Sequence, residues 1–145
     1  MSESHQAFHS DQTLHDLRNG LEAVHAQTEA ALASCGYDEG AKFAIRLAIE
    51  EAVVNAFRHG NRSDPSKSVH FCSEITNASA AFEVEDQGPG FDPMAVPDPT
   101  VDENLEIPSG RGVMLIKAYM TEVAYLPPGN KLRMVYRKPK AQAQG

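Results

Sequence analysis

The chain has 145 residues, 41% apolar and 23% charged, with a formal net charge of −7. This suits a globular chain with one domain's worth of core and excludes a disordered one. The acidic balance argues against a direct nucleic-acid partner, because phosphate backbones are bound by basic faces. It does not argue against a nucleotide, which needs only local positive potential and a metal. No apolar run approaches the roughly 18 residues of a membrane span, and the polar N-terminus lacks a signal-peptide apolar stretch, so no membrane partner is expected. Cys35 and Cys72 are isolated, which fits a reducing, cytoplasmic setting. His5 and His9 share i, i+4 spacing in a polar terminus, but no HExxH or Cys/His cluster supports a zinc reading.

Residues 1–10 are polar and read as a loose terminus, with "QAFHS" able to add an edge strand. Asp11 is a candidate N-cap for a helix in which Leu14, Leu17, Leu21, Val24, Ala31 and Leu32 recur at helical spacing. Gly36 stops it. Asp38 caps a second helix running to about His59, and "GNRSDPS" is a turn. "SVHFCSEI" alternates Val69, Phe71, Ser73 and Ile75 against His70, Cys72 and Glu74, a strand pattern. "NAS" turns the chain into a second strand, "AAFEVED", followed by the glycine turn "QGPGFD". Residues 92–109 hold little periodicity and several prolines, and a loop this long inside a compact domain is often functional. "GRG" opens a third helix, Val113 to about Met120. "TEVAYL" and "KLRMVYRK" are strands joined by "PPGN", and "PKAQAQG" is a tail. No repeat or boundary interrupts the chain. The expectation is one domain over residues 1–145, flexible at 1–10 and 139–145. Its class is α+β, a two-layer sandwich with a mixed, mostly antiparallel sheet and helices on one face.

Three constellations could carry chemistry. In "EEAVVNAFRHGN", Glu51, Asn55 and His59 fall at i, i+4 and i+8, within roughly 80° of one another on a helix. They edge an apolar stripe of Ile45, Ile49, Ala52, Val53 and Ala56. Asn55 offers a carbonyl oxygen suited to Mg²⁺, and Glu51 could accept a proton from a hydroxyl attacking phosphorus. His59 could cap the helix end. A solvated polar margin with Gly60 as C-cap is the plainer reading. In "DQGPG", period two puts Asp86 on the core-facing side with Phe82 and Val84, where a carboxylate needs a donor. An exocyclic adenine amine would serve, and so would a backbone N–H of the following turn. Gly88 and Gly90 allow close approach or simply a turn. In "GRG", Gly110 and Gly112 leave backbone N–H groups bare at a helix start and Arg111 supplies a counter-charge, an arrangement for phosphate or an ordinary helix beginning. There is no P-loop and no protein-kinase HRD or DFG signature.

Together and in this order the three motifs resemble the GHKL superfamily of ATP-binding domains, which includes gyrase-type topoisomerases, histidine kinases and mismatch-repair ATPases. "EAVVNAFRHG" is similar to its N box, "DQGPG" to its first glycine box and "SGRGVMLIKAYM" to its second, with residues 92–109 falling at the ATP lid. Size and wording look most like the bacterial anti-sigma-factor serine/threonine kinases of partner-switch type, over about Asp38 to Lys138. The resemblance implies Mg²⁺ at Asn55, Glu51 as general base and Asp86 on the adenine amine. It implies that Gly88 and Gly90 shape the adenine pocket, and that Gly110, Arg111 and Gly112 lie against the phosphates. ATP and Mg²⁺ are the implied cofactors. The implied partners are a sigma factor and an anti-sigma-factor antagonist protein, with a homodimeric assembly. Asn130 stands where relatives commonly have Thr, so its strand is left outside the expected site.

Three other readings stay open. "HDLRNGL" resembles the phospho-accepting box of histidine kinases, but Gly20 stands where that box has proline, and Glu51 suits a hydroxyl better than an imidazole. The chain could bind nucleotide and sequester a partner without phosphotransfer. A simple ATPase would normally bring a further domain.

Overall fold

The computed structural model describes residues 7–88, 116–126 and 130–139. The chain opens with strand β1 (Ala7–Leu14), then helices α1 (Leu17–Ser34) and α2 (Glu39–Asn55). Strands β2 (Val69–Thr76), β3 (Ser79–Glu85), β4 (Glu122–Leu126) and β5 (Lys131–Arg137) complete a five-stranded sheet of order β1-β2-β3-β5-β4. Among the described residues every pairing is antiparallel rather than mixed, and the helices cover one face, the α+β sandwich expected from the sequence.

Alternation builds that layer. Phe71 and Ile75 of β2, Phe82 and Val84 of β3 and Leu132 and Met134 of β5 all point inward and are buried. They meet Val24 and Leu32 of α1 and Ile45, Ile49 and Val53 of α2 in one core. Ile116 and Met120 are buried in the same core, and residues 116–119 are helical, with Met120 N–H donating to the Ile116 carbonyl at 2.9 Å. The expected helix start at Val113 lies outside the described residues.

Both long helices are punctuated by their sequence. Asp38 caps α2 by accepting from Ala41 N–H at 2.8 Å. Gly36, at φ +81°, ends α1: Tyr37 N–H donates to the Leu32 carbonyl and Gly36 N–H to the Ala33 carbonyl, a Schellman closure.

Two expectations are corrected. The cap of α1 is Asp16, which accepts from Asn19 N–H at 2.9 Å, not Asp11. Asp11 and Leu14 belong to β1 instead, and so do Ala7–Ser10, so the edge-strand reading of "QAFHS" describes them rather than a loose terminus. Leu14 satisfies helical and strand spacing alike, and the eight-residue register with β2 decides it. Gly20 then makes room: a Cβ there would stand 3.0 Å from that of Leu14. The second correction is at the far end of α2. The α-helix stops at Asn55 and Ala56–Gly60 wind as a wider π turn, in which Asn61 N–H donates to the Ala56 carbonyl at 2.8 Å. His59 therefore does not continue the 100° row begun by Glu51 and Asn55.

Candidate functional site

The candidate site is built where the π turn meets the chain leaving β3. Glu51 lies one α-helical turn before Asn55 and is partly exposed, whereas Asn55 is buried. Among the described residues the Asn55 amide nitrogen has no hydrogen-bond partner. Leaving a buried amide unsatisfied costs about 1–3 kcal/mol, a cost that a water or a bound group would relieve. With its amide turned over, Asn55 would offer the hard carbonyl oxygen that Mg²⁺ takes.

Asp86 follows β3 and is held from several directions. Its carboxylate accepts Gly88 N–H at 2.8 Å, so the backbone partner weighed from sequence is present. Its own N–H donates to the Asn130 carbonyl at 2.9 Å, and the Asn130 amide donates to the Asp86 carbonyl at 3.1 Å. Burial raises the Asp86 carboxyl above its ordinary range; Glu85 adds to the rise, while the Gly88 bond and Lys67 oppose it. Tyr125 of β4 lies within electrostatic reach of Asp86. Its phenol is pushed up to about 12, first by burial and then by the charge of Asp86.

Two glycines make this seating possible. A Cβ at Gly60 would overlap the Asp86 carboxylate, and a Cβ at Gly88 would overlap the Gly60 carbonyl. The "HG" ending the π turn and the glycine after Asp86 are thus one packed contact, joining the first and second constellations.

Asn61 fastens that contact from below. It is wholly buried; its carbonyl oxygen accepts Gln87 N–H at 2.7 Å and its amide donates to the Ser68 carbonyl at 2.9 Å. Gln87 in turn accepts Ser68 N–H at 2.6 Å. Immediately beyond, Arg62 and Ser63 take positive φ of 54° and 58°, a strained turn held closed by these bonds.

Of the expected site residues, Glu51 and Asn55 share the end of α2, and Asp86 and Gly88 are joined to that end through Gly60. Gly90, Gly110, Arg111 and Gly112 lie outside the described residues, as does the lid stretch 92–109. Sequence reasoning misses Gly60, Asn61, Tyr125 and Asn130 as site residues. For Gly60 the available signal is that it ends the N-box stretch, and for Asn61 that it follows directly. Asn130 departs from the residue common in relatives, which argues against it in sequence, yet its side chain clamps Asp86. His15 falls in the connection between β1 and α1, not within a helix, and α1 packs into the same core as α2. That placement removes support for a phospho-accepting helix.

The architecture and these motifs agree with comparison to known proteins. Residues 15–136 match the model of the histidine kinase-like ATPase domain, and the chain belongs to that family. The chain is thereby a GHKL-type ATP-binding module. Among solved structures, it is similar to the crystal structure of the RsbU and RsbW domains of Rv1364c from Mycobacterium tuberculosis. The TM-score is 0.63 at 22% identity, over 90% of this chain and 32% of that one. This chain therefore spans about a third of that relative, and the likeness is one of fold. Comparison with curated proteins finds no match. Among the described residues no helix is long and apolar enough to cross a membrane.

The buried polar groups are of the types that a nucleotide and its metal would engage. An orphaned amide at Asn55 and a desolvated carboxylate at Asp86 are two groups whose costs a bound Mg²⁺-nucleotide would offset.

Proposed function

We propose that this chain is a cytoplasmic, ATP-dependent protein serine/threonine kinase of the partner-switch type. It would phosphorylate an anti-sigma-factor antagonist and, by turns, hold a sigma factor inactive, working as a homodimer. The observation that carries the kinase reading is Glu51 one helical turn from the orphaned buried amide of Asn55. A hydroxyl oxygen attacking the γ-phosphorus must lose its proton as the bond to ADP breaks, and a carboxylate beside the metal-holding residue accepts it. Asn55 would hold Mg²⁺, which would supply the charge neutralisation the phosphates need. Asp86 reads the adenine amine, and its burial removes competing water. Gly90, Gly110, Arg111 and Gly112 would complete the pocket. The choice of partners rests on the similarity of "EAVVNAFRHG" to anti-sigma-factor kinases.

The test is calorimetric titration of Mg²⁺-ATP, followed by transfer of labelled phosphate to a serine-bearing antagonist. Asn55→Ala should lose metal-assisted binding. Glu51→Ala should keep nucleotide and lose transfer by at least about 100-fold, the contribution of a positioned base. Nucleotide binding without transfer in wild type would instead make the chain a nucleotide-dependent binding module.

A further inference from the structure

The outer face of the sheet, opposite the helices, carries a second chemical constellation. Asp11 of β1 is registered opposite Cys72 of β2, and His70 stands two residues earlier on the same face of β2. One ligand atom from each of the three lies within 4.8 Å of the others. We infer that Asp11, His70 and Cys72 form a binding site for one borderline-soft divalent cation of the zinc class, separate from the nucleotide site.

The geometry is close to what such an ion needs. His70 Nε2 is 3.7 Å from Cys72 Sγ. Tetrahedral zinc, with Zn–N about 2.0 Å and Zn–S about 2.3 Å, sets those atoms about 3.5 Å apart. His70 Nε2 and Asp11 Oδ1 are 2.5 Å apart, so the carboxylate must draw back by about 0.8 Å to share a tetrahedral ion. Asp11 is exposed on an edge strand and has the freedom to do so.

The surroundings favour the same assignment. With Nε2 toward the ion, His70 Nδ1 lies 4.0 Å from Glu85 Oε1, within reach of its charge but beyond a hydrogen bond. Glu83, across from Cys72, is engaged by Arg133 at 3.2 Å and Lys131 at 3.8 Å, which leaves it a poor fourth ligand. The fourth position then opens to solvent, toward a shallow depression bordered by His9 and Arg133. On binding, the Cys72 thiol gives its proton to solvent and the sulfur bonds the metal. A mixed oxygen, nitrogen and sulfur set discriminates against Mg²⁺, which prefers oxygen alone. The ion would cross-link the edge strand β1 to β2.

Cobalt(II) serves as the probe, titrated into the full chain under reducing conditions. The expected result is one equivalent bound with a thiolate-to-cobalt charge-transfer band that Zn²⁺ abolishes and excess Mg²⁺ does not. Cys72→Ser should lose the band, Cys35→Ser should keep it, and Asp11→Asn should weaken binding at least about tenfold. Circular dichroism checks that each variant is folded, and the exposed Asp11 gives a test independent of any Cys72 effect on packing. Absence of the band in wild type overturns the inference, as does its persistence in Cys72→Ser or its displacement by Mg²⁺.

Discussion

Gly60 and Asp86 are in mutual contact: the carboxylate of Asp86 occupies the volume where any side chain at Gly60 would begin. The last residue of the π turn and the acidic residue after β3 are therefore co-dependent. Gly60→Ala must displace the carboxylate, and overpacking of this kind costs about 1–3 kcal/mol. The expected result is a lower urea midpoint together with loss of Mg²⁺-ATP binding by calorimetry. Normal nucleotide affinity in Gly60→Ala would remove Asp86 from the pocket.

Asp86→Asn should separate stability from binding. Burial holds the Asp86 carboxyl above its ordinary value of 3.8 in the folded protein. The folded state thus keeps the proton to higher pH than the unfolded chain. Stability attributable to this group falls as pH rises from the unfolded value through the folded one, and stays lowered beyond it. Asn removes that cost and still offers an oxygen to Gly88 N–H. The variant should melt at the same or a higher temperature than wild type at neutral pH, an advantage that vanishes in acid, while nucleotide affinity drops.

Asn61→Ala removes the acceptor of Gln87 N–H and the donor to the Ser68 carbonyl at a wholly buried position. Leaving such groups unsatisfied costs about 2 kcal/mol. Urea unfolding should show that loss. Nucleotide affinity should fall too, because the turn bearing Asp86 is freed from the end of α2.

His25 gives the protein an acid-sensitive element remote from the site. Burial, with Arg46 second, lowers its pKa below the ordinary 6.5, and Glu50 partly opposes this. The unfolded chain therefore takes up the proton first. The stability this group contributes is complete above 6.5 and is lost as pH falls from there through the folded value. His25→Gln should flatten that part of the urea-midpoint profile, and an unchanged profile would assign the acid sensitivity elsewhere.

Much of the layer and half of the site are legible in residue order alone. Period two in β2 and β3 and the caps at Asp38 and Gly36 are local signals, and they place these elements. Leu14 misleads because a single apolar residue satisfies both helical and strand spacing until a neighbouring strand fixes its register. The π turn leaves no local mark, since Ala56 and Phe57 suit an ordinary helix. Asn61 and Asn130 act through main-chain groups brought close only by the fold. The Asp11, His70 and Cys72 cluster escapes notice because its ligands come from two strands rather than one spaced motif.

The π turn also fixes the length of the chain that follows it. Its Ala56–Asn61 closure holds one more residue than an α-helical turn spans. Deleting any one residue between them would rewind the segment as ordinary helix and rotate the chain beyond it by about 100°. Gly60 would swing from beneath Asp86, and Asn61 would leave Gln87 and Ser68 behind. Length in this five-residue stretch thus matters as much as the glycine that ends it, because a shortened chain would forfeit the seat of its acidic residue.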